Sequence, residues 1–143
     1  TMSHARRMAI NRQRNEDDLR RKVTQDAVLI TAPPATRAGN QGQDTWVWPG
    51  LQLIGAGGWC KKGLFYEVAE VQDEFLILEG GLKLSHEQAS KSLRLTYAIT
   101  YASCQGLTLR GVVRLETSSP NFTLRHLYVG ISRATAAGLA EVV

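Results

Sequence analysis

The sequence predicts an α/β protein in which a largely parallel sheet is covered by helices and interrupted by an antiparallel β insertion. Two observations near the end of the chain support the parallel sheet. Apolar side chains alternate through residues 95–101, as in a strand, and a second strand-like run at residues 112–115 follows a polar turn that contains glycine. A third observation predicts the insertion: short apolar runs alternate with glycine-rich turns in residues 46–84.

The length of the chain limits the number of domains. With 143 residues, 43% of them hydrophobic, the chain can bury a core but is too short for two large domains. We therefore expect one modest domain, in which residues 1–45 and 91–143 form a discontinuous core and residues 46–90 form a small β-rich insertion.

The beginning of the chain is basic and predicts a loose helix that ends near Val23. Met8, Ile10 and Leu19 give it only a weak apolar stripe, and acidic residues interrupt the run of arginines. A charge run of this kind is usually a solvated face. A short buried strand is predicted at Val28–Ile30. Residues 31–44, rich in proline, glycine and small polar residues, predict a long loop.

Three tryptophans and two lysines lie in the region of short strands. Trp46, Trp48 and Trp59 either stack on unpaired bases, as aromatic platforms do in proteins that bind single strands, or pack in a hydrophobic core. Lys61 and Lys62 stand at a predicted hairpin tip, where they either contact a phosphate backbone or keep an exposed edge soluble. The sequence leaves these alternatives open.

A helix is predicted after Thr123, which is a suitable N-terminal cap. The apolar residues that recur at the spacing of one buried helical face are Leu124, Leu127, Tyr128 and Ile131. Arg133 follows where this stripe stops, so its guanidinium is expected at the helix end. There it either complements the negative end of the helix dipole or acts as an arginine finger on a transferring phosphoryl group.

Two sequence blocks carry a more specific signal. Residues 100–108 read T-Y-A-S-C-Q-G-L-T, and residues 127–135 read L-Y-V-G-I-S-R-A-T. They resemble motifs V and VI of superfamily 1 helicases, in the RecD-like and Pif-type branch, whose common forms are T-x-H-K-x-Q-G-x-T and L-Y-V-A-L-S-R-A-T. Ala102 and Ser103 stand where many members have a His-Lys pair. Residues 1–15 are similar to motif IV and the helix that follows it.

This resemblance implies the second RecA-like core domain, of the P-loop-NTPase type, in an ATP-dependent DNA helicase. It implies that Arg133 acts catalytically as an arginine finger and that Gln105 links the nucleotide state to the DNA strand. The residues implied to contact the nucleotide are Arg133, Gly106, Gln105 and Arg7. The residues implied to contact single-stranded DNA are Thr100, Ser103, Thr108, Ser3 and His4. Asn11 is implied to lie on the helix behind the nucleotide cleft, and no metal site is implied in this chain.

Two elements of an ATPase are missing from these residues. The phosphate loop G-x-x-x-x-G-K-[ST] does not occur, and Asp73 and Glu74 lie in a predicted turn rather than at the end of a buried strand, where they would hold Mg²⁺. We therefore expect the chain to be inactive alone. ATP and Mg²⁺ would be bound mainly by the N-terminal RecA-like domain of the same polypeptide. A start on motif IV and an end soon after motif VI favour a piece of a larger helicase.

Two other functions remain open. One is a non-enzymatic nucleic-acid-binding module derived from a helicase. The other is a structural or interaction domain in which the motifs are remnants, and the absent His-Lys pair is its best support. The net charge of +4 and the pI of about 9.3 favour a polyanionic partner but are also ordinary for a soluble protein.

The remaining sequence features concern location. Cys60 and Cys104, the only cysteines, are far apart in sequence and are read as reduced thiols. The sequence contains neither a long apolar run nor a secretory leader. We expect a soluble, intracellular protein without a membrane partner, and either the nucleus or a site of viral replication fits.

Overall fold

The computed structural model describes residues 1, 3–22, 27–32, 42–135 and 139–143. The predicted end of the first helix near Val23 lies outside these residues, as does most of the predicted loop at residues 31–44. The described residues group into two compact units. We call Thr1–Arg7 with Ala98–Val143 the terminal unit, and Met8–Tyr97 the central unit. The core-and-insertion division expected from the sequence stays a prediction.

The described residues contain three helices, which are α1 (His4–Lys22), α2 (His86–Ser92) and α3 (Leu124–Ile131). They also contain nine strands, which are β1 (Val28–Ile30), β2 (Thr45–Val47), β3 (Gln52–Gly55), β4 (Phe65–Val71), β5 (Phe75–Leu78), β6 (Lys83–Ser85), β7 (Leu93–Leu95), β8 (Val113–Leu115) and β9 (Ala140–Val142). None of the helices in the described residues combines the length and the hydrophobicity that crossing a lipid bilayer requires.

The central unit is built on a sheet of five antiparallel strands in the order β6-β5-β4-β3-β7. β1 and β2 form a separate antiparallel pair, in which Leu29 lies opposite Trp46. Connections as short as residues 79–82, between β5 and β6, can join only antiparallel neighbours, because a parallel crossover needs a dozen or more residues. The antiparallel strands predicted for residues 46–84 are therefore confirmed.

The core of the central unit consists of side chains from the five-stranded sheet, from α2, from the β1–β2 pair and from the connections next to these strands. In β5, Leu76 and Leu78 are buried and their neighbours are not, as expected for a strand with one buried face. The buried residues of this core are Ile30, Val47, Trp48, Leu51, Leu53, Cys60, Val68, Leu76, Leu78, Leu84, Ala89, Leu93 and Leu95. Ala89 is the contribution of α2, whose first turn is fixed by a reciprocal pair of hydrogen bonds between Ser85 and Gln88.

Buried amide side chains fix the part of α1 that belongs to the central unit. Asn15 is buried, and its Nδ2 donates to the carbonyl of Trp46 at 2.9 Å, while the Trp46 N–H donates to Asn15 Oδ1 at 2.8 Å. Gln43 Nε2 donates to the carbonyl of Met8 at 3.1 Å. One amide thus satisfies both backbone groups of a residue in β2, as a neighbouring strand would. These bonds set the position of α1 along β2.

The terminal unit contains a parallel strand pair, β8 with β9. Leu109 and Ala134 form an isolated parallel bridge, and the Tyr101 N–H donates to the carbonyl of Thr1 at 3.0 Å. α3 lies against β8, and the backbone of Gly130 faces the Leu115 side chain. The helix, the strand pair and the turn before β8 therefore form one small cluster.

The mixed α/β architecture is confirmed, but the prediction of a mainly parallel sheet is wrong for the described residues. Five of their six strand pairings are antiparallel. The strand predicted at residues 95–101 does not form beyond its first residue, because β7 stops at Leu95 and the chain from Tyr101 to Gly106 folds into a turn. A turn at this position cannot extend a parallel sheet.

We call the two hydrogen bonds between the Asn15 side chain and the Trp46 backbone the amide clamp. Substitution of Asn15 tests how much this clamp stabilises the fold. Asn15→Ala is expected to lower the free energy of unfolding by roughly 2–4 kcal/mol, because it removes two hydrogen bonds and leaves two partly buried backbone groups of Trp46 without partners. Urea denaturation followed by far-UV circular dichroism measures this change. Gln13→Ala, an exposed position on the same helix, is the control and should change stability by less than about 0.5 kcal/mol. Equal effects of the two substitutions would contradict the clamp.

Candidate nucleotide and nucleic-acid site

The polar turn at residues 100–108 is ordered by its own hydrogen bonds. Thr100 is buried, and its Oγ1 donates to Ser103 Oγ at 2.9 Å and accepts the Ser103 N–H at 3.2 Å. Gly106 has a φ of +78°, a conformation that side chains with a Cβ rarely adopt. Of the residues predicted to act here, Thr100 stabilises the turn, whereas Ser103, Gln105 and Thr108 are exposed.

Two buried side chains anchor this turn. The Tyr101 hydroxyl donates to the carbonyl of Glu116 at 3.0 Å, and its ring lies 5.7 Å from the rings of Phe122 and His126. Cys104 Sγ donates to the carbonyl of Tyr101 at 3.1 Å. Burial raises the pKa of the Cys104 thiol, and the nearby cation of Arg133 opposes that shift. Both side chains are therefore neutral anchors that hold the polar face of the turn outward.

Arg133 lies beside this turn. The Leu109 N–H donates to the carbonyl of Arg133 at 2.7 Å, and Arg133 Nη1 donates to the carbonyl of Leu107 at 3.3 Å. Its Nη2 donates to Ser132 Oγ at 3.0 Å, and the residue is half-buried. Among the described residues no carboxylate forms a salt bridge with this guanidinium. The structure thus brings Arg133 to the turn that carries Gln105 and Gly106.

The apolar face of α3 differs from the prediction. Leu124 is 81% exposed and Tyr128 is 74% exposed, so the prediction that this stripe is buried is wrong for these two residues. Gly130, on another face, is the buried residue of α3. The helix meets its neighbours through a glycine because close backbone approach requires a residue without a side chain. An apolar stripe at the right spacing shows amphipathicity but not which face is covered.

The start of α1 carries the other predicted contacts. Ser3 Oγ accepts the Arg6 N–H at 3.1 Å, which is the role of an N-terminal cap. Arg7 is only 4% exposed, and burial lowers the pKa of its guanidinium. His4 lies close to Arg7, and its Nδ1 is buried without a hydrogen-bond partner in the described residues. The structure therefore places Arg7 in the interior of the terminal unit, whereas Ser3 is exposed.

Sequence reasoning missed one ionic contact of the terminal unit. Arg6 Nε lies 3.0 Å from Glu116 Oε1, across 110 positions of sequence. The pKa of Glu116 is lowered by polar groups near its carboxylate, first Thr1 and then Ser118 and Arg6, of which Ser118 and Arg6 donate hydrogen bonds to Oε1. No signal in the sequence joins residues so far apart, since neither lies in a periodic pattern that predicts pairing.

The chemistry available at the turn is that of a phosphate contact. Arg133 offers a planar cationic fork, and the space around the missing Cβ of Gly106 is open within 4 Å. Both features suit a triphosphate that approaches from outside. No group of three or more His, Cys, Asp or Glu side chains able to hold a metal ion occurs in the described part of the chain. The donors present here thus fit a phosphate group.

The chain shares its fold with helicase RecA-like domains. No family model matches it, and neither does any curated protein sequence. A Bacteroides Pif1 bound to single-stranded DNA is 14% identical, with 92% of this chain and 38% of that one covered, at a TM-score of 0.59. The Pif1 helicase of Candida albicans is 12% identical, with 100% and 43% covered, at a TM-score of 0.63.

A third similar structure concerns DNA unwinding at forked double-stranded DNA by two coordinating Pif1 helicases. It is 16% identical, with 89% of this chain and 37% of that one covered, at a TM-score of 0.54. The chain spans about two-fifths of the length of these helicases. At such low identity the similarity shows the fold alone, and the predicted resemblance to Pif-type helicases is confirmed at that level.

The environment of His4 predicts how stability depends on pH. Burial, and then the charge of Arg7, lower the pKa of His4 below its ordinary value. The unfolded chain, with a histidine pKa of about 6.5, therefore binds more protons, and stability falls as the pH drops through that value. When the pH is lowered from about 7.5 to about 5.5, the free energy of unfolding should fall more for the wild-type chain than for His4→Gln. Urea denaturation at both pH values measures this, and identical pH dependences would contradict it.

Proposed function

We propose that this chain is the second motor domain of an ATP-dependent DNA helicase, supplying the arginine finger and part of the track for single-stranded DNA. The observation that carries the proposal is the position of Arg133, half-buried beside the turn of residues 100–108 and without a carboxylate partner in the described residues. The helicase fold of the chain and the close agreement of residues 127–135 with motif VI support it.

Arg133 is proposed to stabilise negative charge on a nucleotide held by another domain. An arginine fork binds two oxygens of a phosphate at once, and such a charge-assisted contact is stronger than a hydrogen bond to a neutral group. When bound, ATP with Mg²⁺ supplies the phosphoryl group that is transferred to water. In this chain Arg133, Gly106, Gln105 and Arg7 are the proposed nucleotide contacts. Arg7 differs from the other three because it is buried. A nucleotide could reach it only through the interior of the terminal unit.

Hydrogen bonds between Arg133 and the turn provide a route from nucleotide to DNA. The backbone of Arg133 accepts from Leu109, and its guanidinium donates to Leu107. A movement of Arg133 toward a phosphate would therefore pull on residues 107–109 directly. Thr108 belongs to this segment and is exposed, and Ser103 is exposed on the same turn. These two hydroxyls are the proposed contacts to the DNA backbone, together with Ser3 and His4 at the start of α1.

Thr100 has a different place in this proposal. Its hydroxyl is already hydrogen-bonded to Ser103 on both the donor and the acceptor side. A direct bond from Thr100 to a DNA phosphate would require these bonds to break. We therefore assign Thr100 to positioning Ser103, and a contact between Thr100 and DNA would depend on a rearranged turn.

The exposed face of α3 supports a partner domain. Leu124, Tyr128 and Ile131 form an uncovered apolar row on α3, the helix that ends two residues before Arg133. Exposed apolar patches on soluble proteins commonly mark interaction surfaces. The proposed occupant is the N-terminal RecA-like domain of the same polypeptide, which would hold the nucleotide next to Arg133.

The same residues also suit the alternative of a non-enzymatic nucleic-acid-binding module. The phosphate loop is absent from the 143 residues, so this chain is proposed to be inactive alone in either case. The two functions differ in what Arg133 does. In a motor its loss abolishes ATP turnover, whereas in a binding module its loss changes only affinity for single strands and its dependence on salt.

The finger role is tested by Arg133→Ala in a polypeptide that joins this chain to its phosphate-binding domain. DNA-stimulated ATP hydrolysis is expected to fall by about 10³-fold or more, because an arginine finger stabilises charge that develops in the transition state. Arg133→Lys should also be severely impaired, since a lysine keeps the charge but loses the fork. Steady-state phosphate release measures both variants.

Arg125→Ala is the matched control, because Arg125 is an exposed arginine on the same helix. Its hydrolysis rate should stay near that of the wild type. A rate for Arg133→Ala that also stays near wild type would remove the finger role, and the far-UV circular dichroism of both variants shows whether the chain still folds.

A further inference from the structure

The three tryptophans of the central unit occupy different environments. Trp48 is buried in the core, and Trp46 is partly buried against it. Trp59 is 53% exposed. The core interpretation therefore holds for the first two side chains, whereas the large apolar surface of Trp59 faces water. The exposed indole offers a large apolar surface whose burial against a ligand would be favourable.

Trp59 belongs to the loop of residues 56–64, between β3 and β4, which is held in place by specific bonds. The Trp59 N–H donates to Oγ of Ser92, a fully buried residue, at 3.2 Å. The next side chain, Cys60, is buried in the core. The Lys61 N–H donates to the Tyr66 hydroxyl at 2.8 Å. The loop thus presents Trp59 on a fixed backbone, which reduces the entropy lost when a ligand binds.

The surroundings of Trp59 are basic. Lys61 and Lys62 are both exposed, and Leu64, at 50% exposure, adds a second apolar side chain to the same loop. No acidic residue occurs between positions 55 and 66. A loop that combines an aromatic face with two unopposed cations is complementary to a chain of bases and phosphates.

We infer that the loop of residues 56–64 binds single-stranded nucleic acid, with a base stacked on Trp59 and phosphates held by Lys61 and Lys62. Stacking on an indole does not depend on base identity, so the contact is expected to be tolerant of sequence. The inference goes beyond the proposed motor function. It concerns the central unit, uses none of the residues proposed to act on the nucleotide, and does not depend on ATP hydrolysis.

Single-stranded nucleic acid fits this surface better than a protein or a membrane. A stable protein interface buries about 800 Å² on each partner, with an apolar centre, and two apolar side chains beside two lysines form a smaller and more charged patch. A paired duplex hides its base faces, so Trp59 could stack only on an unpaired base. The loop therefore selects single strands over duplex DNA.

The test is fluorescence anisotropy of fluorescein-labelled dT12, with rU12 and a duplex as comparison probes, titrated with the 143-residue chain at low salt. Trp59→Ala should weaken dT12 binding by about 5- to 100-fold. Lys61→Gln with Lys62→Gln should lower the slope of log affinity against log salt by about 1.4, at about 0.7 for each phosphate contact. Both variants should keep the wild-type thermal unfolding midpoint, because the substituted side chains are exposed.

A second exposed aromatic with a lysine provides the matched control. Phe75 is 36% exposed on β5, and Lys83 Nζ lies 4.3 Å from its ring centroid. Phe75→Ala and Lys83→Gln should leave dT12 affinity and the salt slope unchanged. The inference is overturned if Trp59→Ala binds dT12 as the wild type does, or if Phe75→Ala weakens binding equally. It is also overturned if Trp59→Ala abolishes self-association seen by light scattering without altering dT12 binding, since the loop would then contact protein.

Discussion

The close approach of α3 at Gly130 is the constraint on which the geometry of the candidate site depends. A Cβ at this position would lie 2.5 Å from Leu115 Cδ2 and 3.0 Å from Tyr101 Cε1, distances that side chains do not tolerate without movement. Leu115 belongs to β8 and Tyr101 to the polar turn, so one glycine brings strand, turn and helix together. Because α3 ends at Ile131 and Arg133 follows two residues later, the closeness of the helix to the turn also decides where the guanidinium lies.

The two compact units are stabilised in different ways. The central unit has a leucine-rich core beneath a five-stranded sheet. In the described part of the terminal unit, the buried apolar side chains are Tyr101, Cys104 and Leu115. The terminal unit therefore depends more on hydrogen bonds within the turn and between the turn and the residues that follow α3. The apolar row that contains Leu124 and Tyr128 remains exposed. A unit with little apolar burial and an exposed apolar helix face is better suited to complete an interface than to stand as an independent core.

Sequence patterns predicted the elements governed by local chemistry and failed where distant contacts decide. Glycine turns between short apolar runs predicted the antiparallel strands, because tight connections permit no other pairing. The clamp of Asn15 on Trp46 was missed, since the weak stripe of Met8, Ile10 and Leu19 indicated no special face and these residues are only half-buried. The covered face of α3 was assigned wrongly because periodicity identifies an apolar stripe but not its partner. The roles of the site residues rest on resemblance and stay predictions.

The hydrogen bonds at the end of α3 bear on the two interpretations of Arg133. Its guanidinium would serve the helix dipole best by donating to the last carbonyls of the helix. Those carbonyls already have donors: the Ser132 hydroxyl donates to Val129 at 2.9 Å, the Arg133 N–H donates to Gly130 at 3.2 Å and the Ala134 N–H donates to Ile131 at 3.2 Å. The guanidinium instead donates to the neutral carbonyl of Leu107 at 3.3 Å, a long bond. A phosphate oxygen would offer this guanidinium a charge-assisted partner, which forms a stronger hydrogen bond than a neutral carbonyl does. The contacts of Arg133 are thus made to the turn rather than to the last carbonyls of its own helix, and its action as an arginine finger stays a proposal.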